Sequence, residues 1–209
     1  MTRVALFGGS FNPPHVAHQL VALYVLETQP VDELWFVPTY VHVFGKALAP
    51  YEDRIAMCER AAAVLGRRVR VDRSEEVLAQ RPGFAGSRTL DLLTHLADAR
   101  PDVGFRLVVG TDILGEAANW HRWDDVVAAA PLIVIGRTGH ALPAGSAATG
   151  VAMPEVSSTA IRAALAALSP TKRAALGQGD AGGDLGSLLP RAVLRYIAER
   201  DLYLRDGAP

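Results

Sequence analysis

The chain reads as an α/β protein: a doubly wound parallel sheet with helices on both faces and a C-terminal helical element. Two observations predict this. Short apolar runs alternate with longer segments of helical periodicity along the chain, the pattern of strand–helix–strand crossover units. The runs Phe105–Val109 and Leu132–Ile135 are almost continuously apolar, as strands covered on both faces must be.

In order, Val4–Phe7 reads as the first strand and His15–Leu26 as the first helix. Glu33–Val37 is a second strand, stopped by Pro38, which has no amide to donate to a ladder. Tyr51–Leu65 is a helix with Ile55, Met57, Cys58, Ala61, Ala62 and Leu65 as its apolar positions. Val69–Asp72 is a short strand and Thr89–Ala99 a helix with Leu90, Leu93 and Leu96 mostly on one side. Phe105–Val109, Leu132–Ile135 and the brief Val151–Met153 complete the strands. The glycines at 177, 179, 182, 183 and 186 mark 169–187 as a flexible loop. The C-terminal helix, over 190–203, opens on Pro190 in its first turn. The whole of 1–209 is expected to form a single domain, since 209 residues can bury one full core.

Composition excludes several classes of function. Half the residues are apolar and 21% are charged, a globular balance. The formal charge of −1 offers no basic field for nucleic acid or anionic lipid. Cys58 is the sole cysteine, so no intrachain disulfide framework exists. No signal peptide or spanning segment is visible. The expectation is a cytoplasmic protein without nucleic-acid or membrane partners; its oligomeric state stays open.

Ligands of such sheets bind at the carboxyl ends of the strands, and the informative residues lie there. After the first strand come Gly8-Gly9-Ser10-Phe11-Asn12-Pro13-Pro14-His15, then His18. The glycines permit a tight turn and close approach of backbone to a ligand. The helix that follows presents unpaired amides and a partial positive charge to an anion. His15 and His18 stand one helical turn apart and share a face, where neighbouring phosphates favour the charged imidazole. The pattern is neither a dinucleotide fingerprint nor a Walker loop, and it lacks the glutamate and spacing of a zinc helix. A second anion site lies far downstream, where Ser157 or Ser158 can cap a helix that also carries Thr159 and Arg162.

The first segment resembles the G-G-x-F-[DN]-P-x-H-x-[GA]-H signature of the adenylyl- and cytidylyltransferase superfamily, with Ala17 where glycine is usual. The second resembles the same superfamily's I-S-S-T-x-[IV]-R motif. Further stretches resemble nicotinate-nucleotide adenylyltransferases: Val109-Gly110-Thr111-Asp112 with Trp120 and Trp123, Ser87-Arg88-Thr89, and the C-terminal helix. The resemblance implies a Rossmann-like fold and adenylyl transfer from ATP to nicotinate mononucleotide, giving the dinucleotide and pyrophosphate. It implies that His15, His18, Lys46 and Arg162 serve the chemistry, and that Gly8, Gly9, Ser10, Phe11, Asp112, Ser157, Ser158 and Thr159 bind ATP. Arg88, Thr89 and Trp120 would meet the mononucleotide, while Trp123 is expected in the core. Mg²⁺ would arrive with ATP, held mainly by phosphate and water, with no dedicated protein cage.

Departures cluster on the acceptor side. Where the family carries P-N-x-x-P-P-H-K, this chain has Pro38-Thr39-Tyr40-Val41-His42-Val43-Phe44-Gly45-Lys46. Gly45 replaces the histidine beside the lysine, leaving Lys46 or His42 to take its place. Arg88 replaces a tyrosine, and a charge-assisted contact from it would favour a carboxylate on the pyridine ring. Alternative readings are an adenylyltransferase for nicotinamide mononucleotide or another phosphorylated acceptor, and a non-catalytic nucleotide sensor.

Overall fold

A computed structural model describes residues 1–42, 45, 47–115, 119–137, 151–154, 156–178 and 183–204. Six strands form one parallel sheet in the order β3-β2-β1-β4-β5-β6. The chain runs β1 (Thr2–Gly9), α1 (Val16–Thr28), β2 (Glu33–Pro38), α2 (Tyr51–Ala62), a 3-10 turn at Ala63–Leu65, then β3 (Val69–Val71). It continues through α3 (Ser74–Ala79), α4 (Thr89–Ala99), β4 (Val103–Gly110), α5 (Thr111–Gly115), α6 (Trp123–Ala129) and β5 (Leu132–Arg137). β6 (Ala152–Met153), α7 (Ser158–Ala166), α8 (Pro170–Leu176), α9 (Gly183–Leu188) and α10 (Arg191–Glu199) follow. The predicted doubly wound α/β sheet is therefore the observed fold.

The alternation of side chains along a strand sorts the core into two layers. Ala5, Leu34, Phe36, Val108, Ile133 and Ile135 point to one face, against α1 through Val21, Ala22 and Val25 and against α2 through Cys58 and Ala62. Their neighbours Val4, Leu6, Trp35, Val37, Leu107, Val109 and Val134 point to the other, against Leu78 of α3, Leu92, Leu93 and Leu96 of α4, and Val126 of α6. A third cluster forms behind α2, whose Met57 and Ala61 meet Ile161, Leu165, Leu176, Leu185, Leu194 and Ile197 of the C-terminal helices.

This third cluster corrects the reading of 169–187 as a loop. Two helices, α8 and α9, occupy most of it; residues 179–182 lie outside the described ones. Ser169 caps α8 by accepting the Lys172 amide, Pro170 takes the first turn, and Leu176 and Leu185 are buried. Capping and apolar anchoring outweigh the glycines. α10 ends at Glu199, short of the expected 203. Among the described residues, no helix is long and apolar enough to cross a membrane.

β1 lies mid-sheet. The chain winds outward from it through β2 and β3, then returns to β4 on its other side. The β1–β4 boundary is thus the switch point at which such sheets open a crevice.

Candidate active site

The crevice is lined by Phe7, His15, His18, Gly110, Ile135 and Met153 among others, at the carboxyl ends of β1 and β4. Both predicted histidines are present. His15 is the N-cap of α1 and is buried; its ring stacks on that of His18 with centroids 3.8 Å apart. The His15 amide donates to Nδ1 of His18 at 3.0 Å. A ring that accepts at Nδ1 donates through Nε2. Phe11 braces the His18 ring from 4.9 Å, and Phe7 from 5.8 Å.

The two glycines serve different ends. A Cβ on Gly9 would meet the Phe11 ring at 3.3 Å, tighter than most real contacts, whereas one on Gly8 would stand in open space. Gly9 therefore lets the phenyl ring close in, and Gly8 leaves room at the end of the strand. Phe11 itself has a φ of +46°, uncommon for a bulky residue.

The structure joins the two anion motifs directly. Ser158 Oγ donates to the Pro13 carbonyl at 3.0 Å, and Arg162 Nη1 donates to the Asn12 carbonyl at 2.8 Å. Ser157, not Ser158, caps α7, accepting the Ala160 amide. The Ser158 hydroxyl thus ties the two loops together. Thr159 follows on the exposed first turn of α7.

The other candidates sit across the sheet. Arg88 is the exposed N-cap of α4 and Thr89 its first residue. Trp120 packs on the same layer as α4, and Trp123, expected in the core, is half-buried with its ring edge-on to Trp120 at 5.2 Å. Asp112 follows β4 in the first turn of α5, at the switch point. Lys46 lies outside the described residues. His42 is half-buried, and its carbonyl accepts the Gly45 amide at 2.9 Å. Gly45 has a φ of +66°, a left-handed turn that favours glycine where the family pattern has histidine.

Several residues support the site through contacts that the sequence motifs do not show. Asn12 Oδ1 accepts the Ala49 amide at 3.2 Å and the Tyr203 hydroxyl at 2.6 Å. Burial pushes the Tyr203 phenol well above its ordinary range and keeps it a donor. Ser87 Oγ accepts the amides of Tyr40 and Val41 at 3.2 and 3.3 Å, pinning the loop after β2 to the head of α4. Arg54, on α2, is almost fully buried beneath these loops. The donor set contains His, Arg, hydroxyls and amides; among the described residues no three His, Cys, Asp or Glu side chains group as a metal site.

Comparison with known proteins accords with this arrangement. A family model of cytidylyltransferase-like proteins matches residues 6–164. A probable nicotinate-nucleotide adenylyltransferase of Anaeromyxobacter dehalogenans (strain 2CP-1 / ATCC BAA-258) is 48% identical over 200 residues, covering 96% of each chain. The protein belongs to the nicotinate-nucleotide adenylyltransferase family. Another member, from Myxococcus xanthus (strain DK1622), is 38% identical over 96% of this chain and 94% of its own. In fold, the protein resembles the nicotinic acid mononucleotide adenylyltransferase of Plasmodium falciparum complexed with NaAD, at a TM-score of 0.74 and 18% identity over 97% of this chain and 98% of that one. The two motifs that carry the superfamily resemblance are the two that Ser158 and Arg162 tie together.

Proposed function

We propose that the protein transfers the adenylyl group of ATP to nicotinate mononucleotide, releasing pyrophosphate, in NAD biosynthesis. The observation that carries this reading is the direct link between the two anion motifs, Ser158 Oγ on the Pro13 carbonyl and Arg162 Nη1 on the Asn12 carbonyl. The cross-linked anion motifs lie on the α1 face, and the α4 N-terminus with Trp120 lies on the other. The names of the relatives indicate the acid form of the mononucleotide.

An oxygen of the mononucleotide phosphate attacks the α-phosphorus of ATP. A new O–P bond forms, the bond to the oxygen bridging α and β breaks, and its electron pair leaves with pyrophosphate. The nucleophile is already an anion at neutral pH, so no protein base is required. The barrier is one of bringing two polyanions together and spreading the charge of the transition state, which positioned donors lower.

His15 and His18 donate to the phosphates and to the oxygens developing charge at the α-phosphorus. The backbone of Gly8, Gly9, Ser10 and Phe11 wraps the triphosphate. The N-terminus of α7, with Ser157, Ser158 and Thr159, and the N–H groups of Arg162 beyond its Asn12 bond hold the β- and γ-phosphates. Asp112 takes a polar group of the nucleoside. Lys46 contacts phosphate where the two substrates join, while Arg88, Thr89 and Trp120 receive the mononucleotide. Mg²⁺ enters as part of the ATP substrate, a reading supported by a donor set poor in the carboxylates magnesium prefers. A cytoplasmic setting suits these small, soluble substrates.

Pyrophosphate release from ATP with nicotinate or nicotinamide mononucleotide is the test. Preference for the acid is expected. Faster turnover of the amide would reassign the acceptor, and ATP binding without turnover of any acceptor would make the protein a sensor.

A further inference from the structure

Arg54 points inward from the first turn of α2, with only 1% of its surface exposed. Its guanidinium donates four hydrogen bonds, all to main-chain carbonyls. Nε reaches Ala49 at 3.0 Å, Nη1 reaches Ser10 at 3.0 Å and Thr39 at 2.7 Å, and Nη2 reaches Tyr40 at 3.3 Å. The Tyr51 ring lies 5.3 Å from its Cζ. No carboxylate forms an ion pair with Arg54 among the described residues.

The acceptors come from separate parts of the site. Ser10 belongs to the phosphate loop after β1. Thr39 and Tyr40 open the loop after β2, which leads to Lys46, and Ala49 closes that loop. A single planar group therefore bolts the donor's loop to the acceptor's loop. On the far side of the same segment, Ser87 Oγ accepts the Tyr40 and Val41 amides, so the Tyr40 residue is held at both its N–H and its C=O.

We infer that Arg54 is a positioning residue for the transfer step: it fixes the acceptor loop against the phosphate loop and so sets the approach of the acceptor phosphate to the α-phosphorus. This rests on the function proposed above. Arginine is required because four carbonyls in a fork match a planar guanidinium, while a lysine ammonium is a single point donor. The buried charge also gives the floor of the phosphate loop a positive potential, with carbonyl dipoles rather than a carboxylate as its partners.

The test separates alignment from simple folding. ATP affinity is measured by titration calorimetry, which also counts binding-competent sites, and kcat is expressed per such site. Arg54→Lys keeps the charge and the stem but not the fork. Its ATP Kd is expected within about threefold of wild type, while kcat per site falls about a hundredfold, the cost of a misaligned pair of reactants. Arg54→Ala is expected to lose a similar factor and to regain part of it with millimolar guanidinium chloride. If Arg54→Ala does not fold, Arg54→Lys carries the test. An Arg54→Lys kcat per site equal to wild type overturns the assignment, because a purely structural arginine would change only the number of competent sites. Absence of wild-type turnover overturns the reaction and this inference together. Wild-type turnover with an unaffected Arg54→Lys enzyme overturns the inference alone.

Discussion

Glu75→Gln should remove a pH dependence from the stability of the fold. Glu75 sits in the first turn of α3, 5% exposed, and its Oε2 has no hydrogen-bond partner among the described residues. Burial pushes its carboxyl from 4.5 up to about 7, with Asp91 and Asp72 acting in the same direction and the Ser87 hydroxyl and Tyr40 amide opposing. The folded protein thus holds this proton more tightly than the unfolded chain does. The resulting stabilisation is fully present below pH 4.5 and is lost as pH rises to about 7, beyond which it changes no further. At 1.36 kcal/mol per pKa unit, the loss amounts to about 3 kcal/mol. Glutamine has nearly the same shape and stays neutral throughout. The variant should therefore match wild type near pH 4.5 and exceed it by up to about 3 kcal/mol at pH 8. Urea unfolding at 25 °C from pH 4.5 to 8.5 measures the difference directly. Carboxylates held low in the folded state, such as Asp32 with its Arg3 amide bond, titrate alike in both proteins and cancel. Parallel stability profiles for the two proteins would refute the argument, as would a variant that weakens relative to wild type as pH rises.

His18→Ala should lower kcat by roughly 10²–10³, the loss seen when one preorganised donor is removed; pyrophosphate release read under saturating substrates checks it, and near-normal turnover rejects the role. Tyr203→Phe removes the hydroxyl on Asn12 and should cost about 1 kcal/mol. For a chain of this size that lowers Tm by about 2–4 °C, and an unchanged melting curve would show that the bond contributes nothing.

What could be read from the sequence divides by the distance between partners. β1, β4 and β5 were legible because consecutive apolar residues such as Val4, Ala5 and Leu6 have no other use than a sheet buried on both faces. α3 was not legible, since six residues give too short a period to separate from a turn. The helices within 169–187 were hidden by their glycines, although Ser169-Pro170 is a helix start. His15 and His18 were legible because their loop, their helix and their neighbours are contiguous. Arg54 was not. Its partners are carbonyls, which every residue owns, and an arginine on a helix ordinarily reads as solvated. The Tyr203–Asn12 bond spans 191 positions, and nothing in either local sequence announces the other.

That last bond has a consequence for the order in which the protein is made. Asn12 is synthesised 191 residues before its buried partner Tyr203. At ~5–20 residues per second, the ribosome takes on the order of ten seconds or more to travel between them. A nascent chain halted anywhere in that interval carries both histidines but leaves Asn12 without the phenol that anchors it. The loop that carries the histidines is in this sense completed only once Tyr203 has arrived.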